Sequence, residues 1–146
     1  MNSVFWGTVG ATLVMGISSL GAAIAMGIAG SATVGAWKRC YKANKPAPTT
    51  LLTFVGFPLT EVFYGFILMR QMLNAANETN SGLLLGVGIG GGVAIALVAI
   101  AEGWVGAAAA DALTETGKGF ANYVTIVGVC ETVALFVMVL FMTVIG

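Results

Sequence analysis

The chain has 146 residues, of which 58% are hydrophobic and only 8% are charged. Soluble domains usually carry about a quarter of charged residues, so this composition predicts a membrane protein. Six basic and six acidic residues give a formal net charge of zero, which excludes a basic face for nucleic acid. The absence of histidine removes the commonest metal ligand and general base. Cys40 and Cys130 form neither a disulfide framework nor a metal-binding spacing.

Four long apolar segments follow one another and are predicted to be transmembrane helices. We predict helices at about 4–36, 51–74, 82–113 and 120–145. Each reaches the roughly 20 residues needed to cross the hydrocarbon core, where a backbone without water partners must be helical. The first segment lacks the basic leader of a signal peptide, so it is interpreted as part of the mature protein.

The loops between these segments predict the orientation of the chain. The loop at 37–50 contains four of the six basic residues, and the loop at 114–119 contains Lys118. The connection between the second and third helices contains only the acidic Glu78 as a charged residue. By the positive-inside rule, both basic loops are cytoplasmic and both termini lie on the non-cytoplasmic side.

An internal repeat relates the first and third segments. Ala22–Ala36 aligned without gaps on Val98–Ala112 gives seven identities in fifteen positions. The second and fourth segments match less well. The repeat predicts two tandem helical hairpins in parallel, residues 1–76 and 77–146. Because Gly and Ala dominate the first and third helices, we expect these to pack closely inside, with the bulkier helices outside, as in a ring of hairpins.

The last three segments each contain an acid at a similar predicted depth. Glu61 lies eleven residues beyond Thr50, Glu102 eleven before Leu113, and Glu131 eleven beyond Phe120. At about 1.5 Å per residue, each acid is roughly 16 Å from the cytoplasmic edge. A charge near the bilayer centre costs several kcal/mol, so an acid there indicates function. Three adjacent carboxylates cannot all be ionised. We therefore predict a reversible cation-binding site; the alternative is that each acid has a separate hydroxyl or backbone partner.

Other oxygen atoms lie near these acids in the sequence. Thr60, Tyr64 and Thr132 offer hydroxyl groups that can coordinate an ion or fix a carboxyl proton. Pro58 removes a backbone hydrogen bond, which is expected to free a carbonyl within residues 54–57 as a further ligand.

Two other patterns favour structural roles. Gly86-x-Gly88-x-x-Gly91 satisfies the dinucleotide-binding string, but it lies within an apolar helix with no preceding strand, so we interpret it as a helix-packing surface. Arg70 lies at the outer end of the second helix and is expected to extend toward the membrane interface; its alternative is a residue of the ion pathway.

Three stretches resemble the proteolipid rotor-ring subunit, called K or c, of V-type and archaeal-type ATPases. They are Pro58–Gly65, Ile100–Val105 and Cys130–Thr132. The resemblance extends over the whole chain and implies a ring that turns in the lipid bilayer against a stator subunit with an essential Arg. A central-stalk subunit would contact the cytoplasmic loops, and a separate head would hydrolyse or synthesise ATP. The chain itself would be no enzyme and would need no cofactor.

The resemblance also implies roles for single residues. Glu131 would be the essential ion carrier. The other residues implied at the site are Thr60, Glu61, Tyr64, Glu102, Thr132 and the backbone carbonyl of Phe57. The sodium-binding version of the family tends to have Gln where this chain has Glu61 and Glu102. The extra acids favour H⁺ as the transported ion, whereas Thr60 favours Na⁺, which the same residues would bind. Whether the acids share one ion or hold several stays open.

A different class of protein is also compatible with these features. A stand-alone cation-coupled small transporter would equally place a Glu within the membrane. Its substrate would need a roomy cavity, however, and the small residues of this chain suit close packing. The rotor interpretation predicts a large closed ring in mild detergent, and the transporter interpretation predicts a smaller assembly such as a dimer.

Overall fold

The computed structural model describes residues 4–146, and within this range the chain is helical without strands. Four long helices are formed: α1, Phe5–Lys42; α2, Thr49–Ala75; α3, Ser81–Thr116; and α4, Phe120–Ile145. Each is long and apolar enough to cross a membrane. The predicted all-α class with four membrane-spanning helices is therefore confirmed.

The first helix is longer than predicted. α1 continues to Lys42 instead of ending at 36, so the connection to α2 shortens from residues 37–50 to 43–48. Lys and Arg are good helix formers, and the change from apolar to basic residues therefore marks the expected membrane edge and not the end of the helix. α2 begins two residues earlier than predicted, with a 3₁₀ turn at Thr49–Leu51.

The third helix is also longer than predicted. α3 extends to Thr116 instead of 113, and the connection to α4 shortens from residues 114–119 to 117–119. Gly117 follows the helix with a positive φ of 64°. Glycine adopts this left-handed conformation without the steric cost that a Cβ brings, which is why it commonly follows the last helical residue.

The second helix changes its winding just before the predicted site. A 3₁₀ turn at Phe57–Leu59 separates the short α-helical piece Leu52–Gly56 from the longer one at Thr60–Ala75. Pro58 has no N–H to donate, and its ring crowds the preceding turn. The local tightening therefore occurs at the proline and positions the segment that begins at Thr60.

Pairs of contacting residues define the directions of the helices. The approaches between α1 and α3 join Gly10 to Leu84, Gly21 to Ala96, and Ala25 to Gly103. The contacts between α2 and α4 join Phe54 to Phe120, Tyr64 to Glu131, and Gln71 to Gly146. Residue numbers rise together in both series, so α1 runs parallel to α3, and α2 runs parallel to α4. The two hairpins therefore point in the same direction.

Small residues bring the backbones of α1 and α3 into direct contact. A Cβ added at Gly88 would lie 2.6 Å from the Cα of Gly10, and one at Gly103 would lie 2.6 Å from the Cα of Ala25. Both distances are far below van der Waals contact. These glycines therefore permit the close packing that the sequence predicts for α1 and α3.

Gly88→Ala is expected to destabilise the assembled protein by roughly 1–3 kcal/mol, the usual cost of overpacking. Gly86→Ala is the matched control on the same helix, because a Cβ there would meet no atom within 4 Å. The midpoint of unfolding in mild detergent measures both variants. Equal midpoints for the two variants would contradict the proposed backbone contact.

Candidate functional site

Two of the predicted acids form a buried pair between α2 and α3. Glu61 and Glu102 are both 0% exposed, and their carboxyl groups are close enough to interact with each other. The equal depth counted from the sequence thus brings two acids from different helices next to each other. Because unbalanced buried charge is very costly, this pair cannot exist as two bare carboxylates.

The third acid lies at the rim of this pair. Glu131 is half-buried on α4, and its Oε1 accepts a hydrogen bond of 2.8 Å from the hydroxyl of Tyr64 on α2. It is close enough to Glu61 and Glu102 for their charges to interact. Glu61 and Tyr64 are three residues apart and therefore lie on one face of α2. That face connects the buried pair to the more accessible acid.

Thr60 connects the acid pair to the proline turn. Its hydroxyl Oγ1 lies 2.9 Å from the carbonyl oxygen of Phe57 and 3.3 Å from Oε2 of Glu61. The backbone N–H of Thr60 donates to the same Phe57 carbonyl. The family resemblance implies that this carbonyl is a ligand of the ion. In the structure it already accepts hydrogen bonds from both groups of Thr60.

Thr132 is placed differently from the other predicted site residues. It is exposed on α4, and its hydroxyl donates a hydrogen bond of 2.6 Å to the carbonyl of Val129 on the same helix. Adjacent residues of a helix point in different directions. Glu131 faces Tyr64, and Thr132 consequently does not share that direction.

The acids form a pair with a neighbour and not one chelating triad. Within residues 4–146, no three side chains of the His, Cys, Asp and Glu types converge in a group suited to a metal ion. Glu61 and Glu102 are hidden inside the four helices, whereas Glu131 lies at their edge. Chemically, this arrangement can hold protons at two positions that differ in accessibility.

A close contact of α1 beside the site was not predicted from the sequence. A Cβ added at Gly65 would overlap the hydroxyl of Ser18, which is itself buried and donates to the Met15 carbonyl. Gly65 lies four residues after Glu61 and therefore on the same face of α2. The glycine lets α1 cover the buried pair. In the sequence, the signal for this contact was the position of Gly65 directly after Tyr64.

Tyr64→Phe is expected to make Glu131 react faster with a hydrophobic carbodiimide, by about tenfold. The substitution removes one hydrogen bond to an ionisable group, worth about 1.5–3 kcal/mol, and leaves the aromatic ring in place. Mass spectrometry of the labelled assembly measures the rate. Tyr41→Phe is the control, because Tyr41 is exposed near the end of α1. An unchanged rate in Tyr64→Phe would contradict the observed hydrogen bond.

Comparisons with known proteins agree with these features. Residues 85–144 match the family of ATP synthase C subunits, a range that contains Glu102 and Glu131. The chain is also 29% identical over 136 residues, 93% of its length, to the A-type ATP synthase subunit K of Methanocaldococcus jannaschii. It spans 60% of the length of that relative. Both findings confirm the resemblance predicted from the sequence, and the chain is an integral membrane protein.

Proposed function

We propose, from the match to the ATP synthase C-subunit family, that this chain is an ion-carrying rotor subunit of an A/V-type rotary ATPase. The observation that carries the proposal is the position of Glu131. This acid lies half-buried within a helix long enough to cross a membrane, held by the hydroxyl of Tyr64. An intramembrane acid at such an edge can gain and lose an ion while its surroundings stay apolar.

In this proposal several copies of the chain form a ring. Small residues of α1 and α3 suit the crowded inner side of such a ring, and α2 and α4 present bulky apolar side chains outward. Phe63 of α2 is 60% exposed and Phe136 of α4 is 63% exposed in the single chain. Neighbouring copies, the lipid bilayer and a stator subunit that supplies an Arg would cover these surfaces.

The orientation follows from the charges at the helix ends. The basic end of α1 and the connection between α3 and α4 face the cytoplasm, and both termini face the other side. At that cytoplasmic end Arg39 of α1 forms an ion pair with Asp111 of α3. A central-stalk subunit that binds the ring at this end would contact the surface where the Arg39–Asp111 ion pair connects the two hairpins.

The transport cycle uses Glu131 as the moving carrier. An ion enters from an aqueous half-channel of the stator and neutralises the carboxylate, which then enters lipid at low cost. After nearly a full turn, a second half-channel and the stator Arg favour the ionised form and release the ion. Moving one charge through 100 mV is worth about 2.3 kcal/mol, so several steps accompany each ATP. ATP itself reacts in the separate head, and this chain catalyses no reaction alone.

Protons are the ion that the site supports best. Glu61 and Glu102 place two further proton-binding groups beside Glu131, and desolvation and mutual repulsion favour the protonated forms of neighbouring acids. The Phe57 carbonyl, an otherwise suitable sodium ligand, accepts hydrogen bonds from Thr60. Both features favour a site that holds protons through hydrogen bonds over a site that coordinates sodium.

The size of the assembly tests the rotor proposal. Extracted in mild detergent, the protein is expected to form a closed ring of many copies with a uniform mass, measurable by native mass spectrometry. The control is the same sample under conditions that dissociate membrane complexes. A dimer or monomer under mild conditions would contradict the proposal and support a stand-alone transporter.

A further inference from the structure

Three carboxyl oxygens of the buried pair have no hydrogen-bond partner among the described residues. They are Oε1 of Glu61 and both oxygens of Glu102. Both residues are 0% exposed. A carboxylate can only accept hydrogen bonds, so two touching carboxylates offer each other nothing. A proton on either group converts an acceptor into a donor.

The hydroxyl of Thr60 indicates where one proton lies. A hydroxyl has a single hydrogen to donate. Of the two contacts of the Thr60 hydroxyl, the one with the Phe57 carbonyl is the shorter, at 2.9 Å, so we assign the hydrogen to that carbonyl. The 3.3 Å contact with Oε2 of Glu61 is then a hydrogen bond if Glu61 donates. That assignment protonates Glu61 at Oε2.

Glu102 supplies the next hydrogen in the series. With Oε2 of Glu61 acting as donor, Oε1 of Glu61 is an acceptor, and the facing Glu102 carboxyl is the neighbour that can donate to it when protonated. The hydrogen bonds then run in one direction from Glu102 to Glu61, to Thr60 and to the Phe57 carbonyl. One Glu102 oxygen remains a bare acceptor, which is less costly to bury than a charge.

The charges around the pair agree with a neutral state. The groups that face it are Glu131 from α4 and Tyr64 from α2, and neither brings positive charge. The α1 segment from 5 to 36 contains no charged residue. A carboxylate at this position would therefore be buried beside another acid, with no cation from residues 4–146 facing it to balance its charge.

We infer that Glu61 and Glu102 are a resident pair of protonated carboxyl groups, distinct from the ion that Glu131 carries. This inference rests on the proposed function for the role of Glu131. It assigns two retained protons and one exchangeable ion to each subunit. The pair thus serves as a fixed, neutral wall of the ion site, and each subunit transports one ion per passage.

Infrared difference spectroscopy of the intact assembly at neutral pH tests this inference, because protonated carboxyl groups absorb separately from carboxylates. The spectrum of Glu131→Gln minus that of the triple variant Glu61→Gln/Glu102→Gln/Glu131→Gln isolates the pair. We expect a signal of two protonated carboxyl groups per subunit. A signal of one or none would overturn the inference, as would sodium bound in stoichiometric amount to the Glu131→Gln assembly.

A second variant keeps the test independent of the triple substitution. Glu102→Gln in the otherwise unchanged assembly is expected to lose one protonated carboxyl signal, and Glu115→Gln, at the exposed end of α3, is expected to lose none. No loss in Glu102→Gln would overturn the inference. A different result would contradict the proposed function: ion transport by Glu131→Gln, whatever infrared signal the pair gives.

Discussion

Glu131→Gln is expected to abolish ATP-driven ion transport by the reconstituted complex, so that ion movement falls to the level of vesicles that lack the complex. The amide has nearly the same shape as the acid and can still accept the 2.8 Å hydrogen bond from Tyr64. It cannot ionise, however, so neither the stator Arg nor the membrane potential can act on it. The measurement is ion movement into vesicles on addition of ATP.

The control for this loss is Glu115→Gln, which removes an exposed acid of α3 far from the site and is expected to transport normally. Native mass spectrometry should show that both variants form the same assembly as the unchanged protein. Transport by an assembled Glu131→Gln complex would eliminate Glu131 as the carrier. A purely structural role for this acid predicts that result.

The double variant Glu61→Gln/Glu102→Gln is expected to make the site responsive to sodium. It replaces two protonated carboxyl groups, which donate hydrogen bonds within the pair, with neutral amides, while Glu131 keeps the single charge that matches one monovalent cation. The new amide oxygens are neutral ligands next to Thr60 and Tyr64. We expect sodium to slow carbodiimide labelling of Glu131 by about tenfold, which corresponds to about 1.4 kcal/mol of binding.

Single variants serve as controls for this change. Glu61→Gln or Glu102→Gln alone leaves one extra acid, so sodium protection should be weaker than in the double variant. Potassium at the same concentration controls for ionic strength. If sodium has no effect on the double variant, the acid pair does not determine which ion is bound.

Much of the architecture follows from the sequence because the membrane limits the choices. Long uncharged segments such as 4–36 must be helical in lipid, and the repeat between the first and third segments predicts the parallel arrangement seen for α1 and α3. The helix ends were less predictable. The basic residues Lys38, Arg39 and Lys42 mark the membrane interface, but they do not interrupt the backbone hydrogen bonding of α1.

The site was predictable in its members and less so in its geometry. Equal depth predicts that Glu61, Glu102 and Glu131 lie in one layer, but depth does not specify the rotation of a side chain about its helix. The direction of Thr132 and the bonds of the Phe57 carbonyl depend on that rotation and on the proline turn. The distinction between a buried pair and an accessible third acid likewise depends on how three helices pack, which equal depth does not specify.

Carbodiimide labelling of the unchanged intact assembly, mapped by mass spectrometry at neutral pH with and without sodium, tests most directly whether Glu131 is a proton carrier. The half-buried Glu131 should be labelled while the enclosed Glu61 and Glu102 are not, and the rate should be the same in both solutions. Labelling confined to Glu61 or Glu102, or strong protection of Glu131 by sodium, would contradict a proton-carrying Glu131.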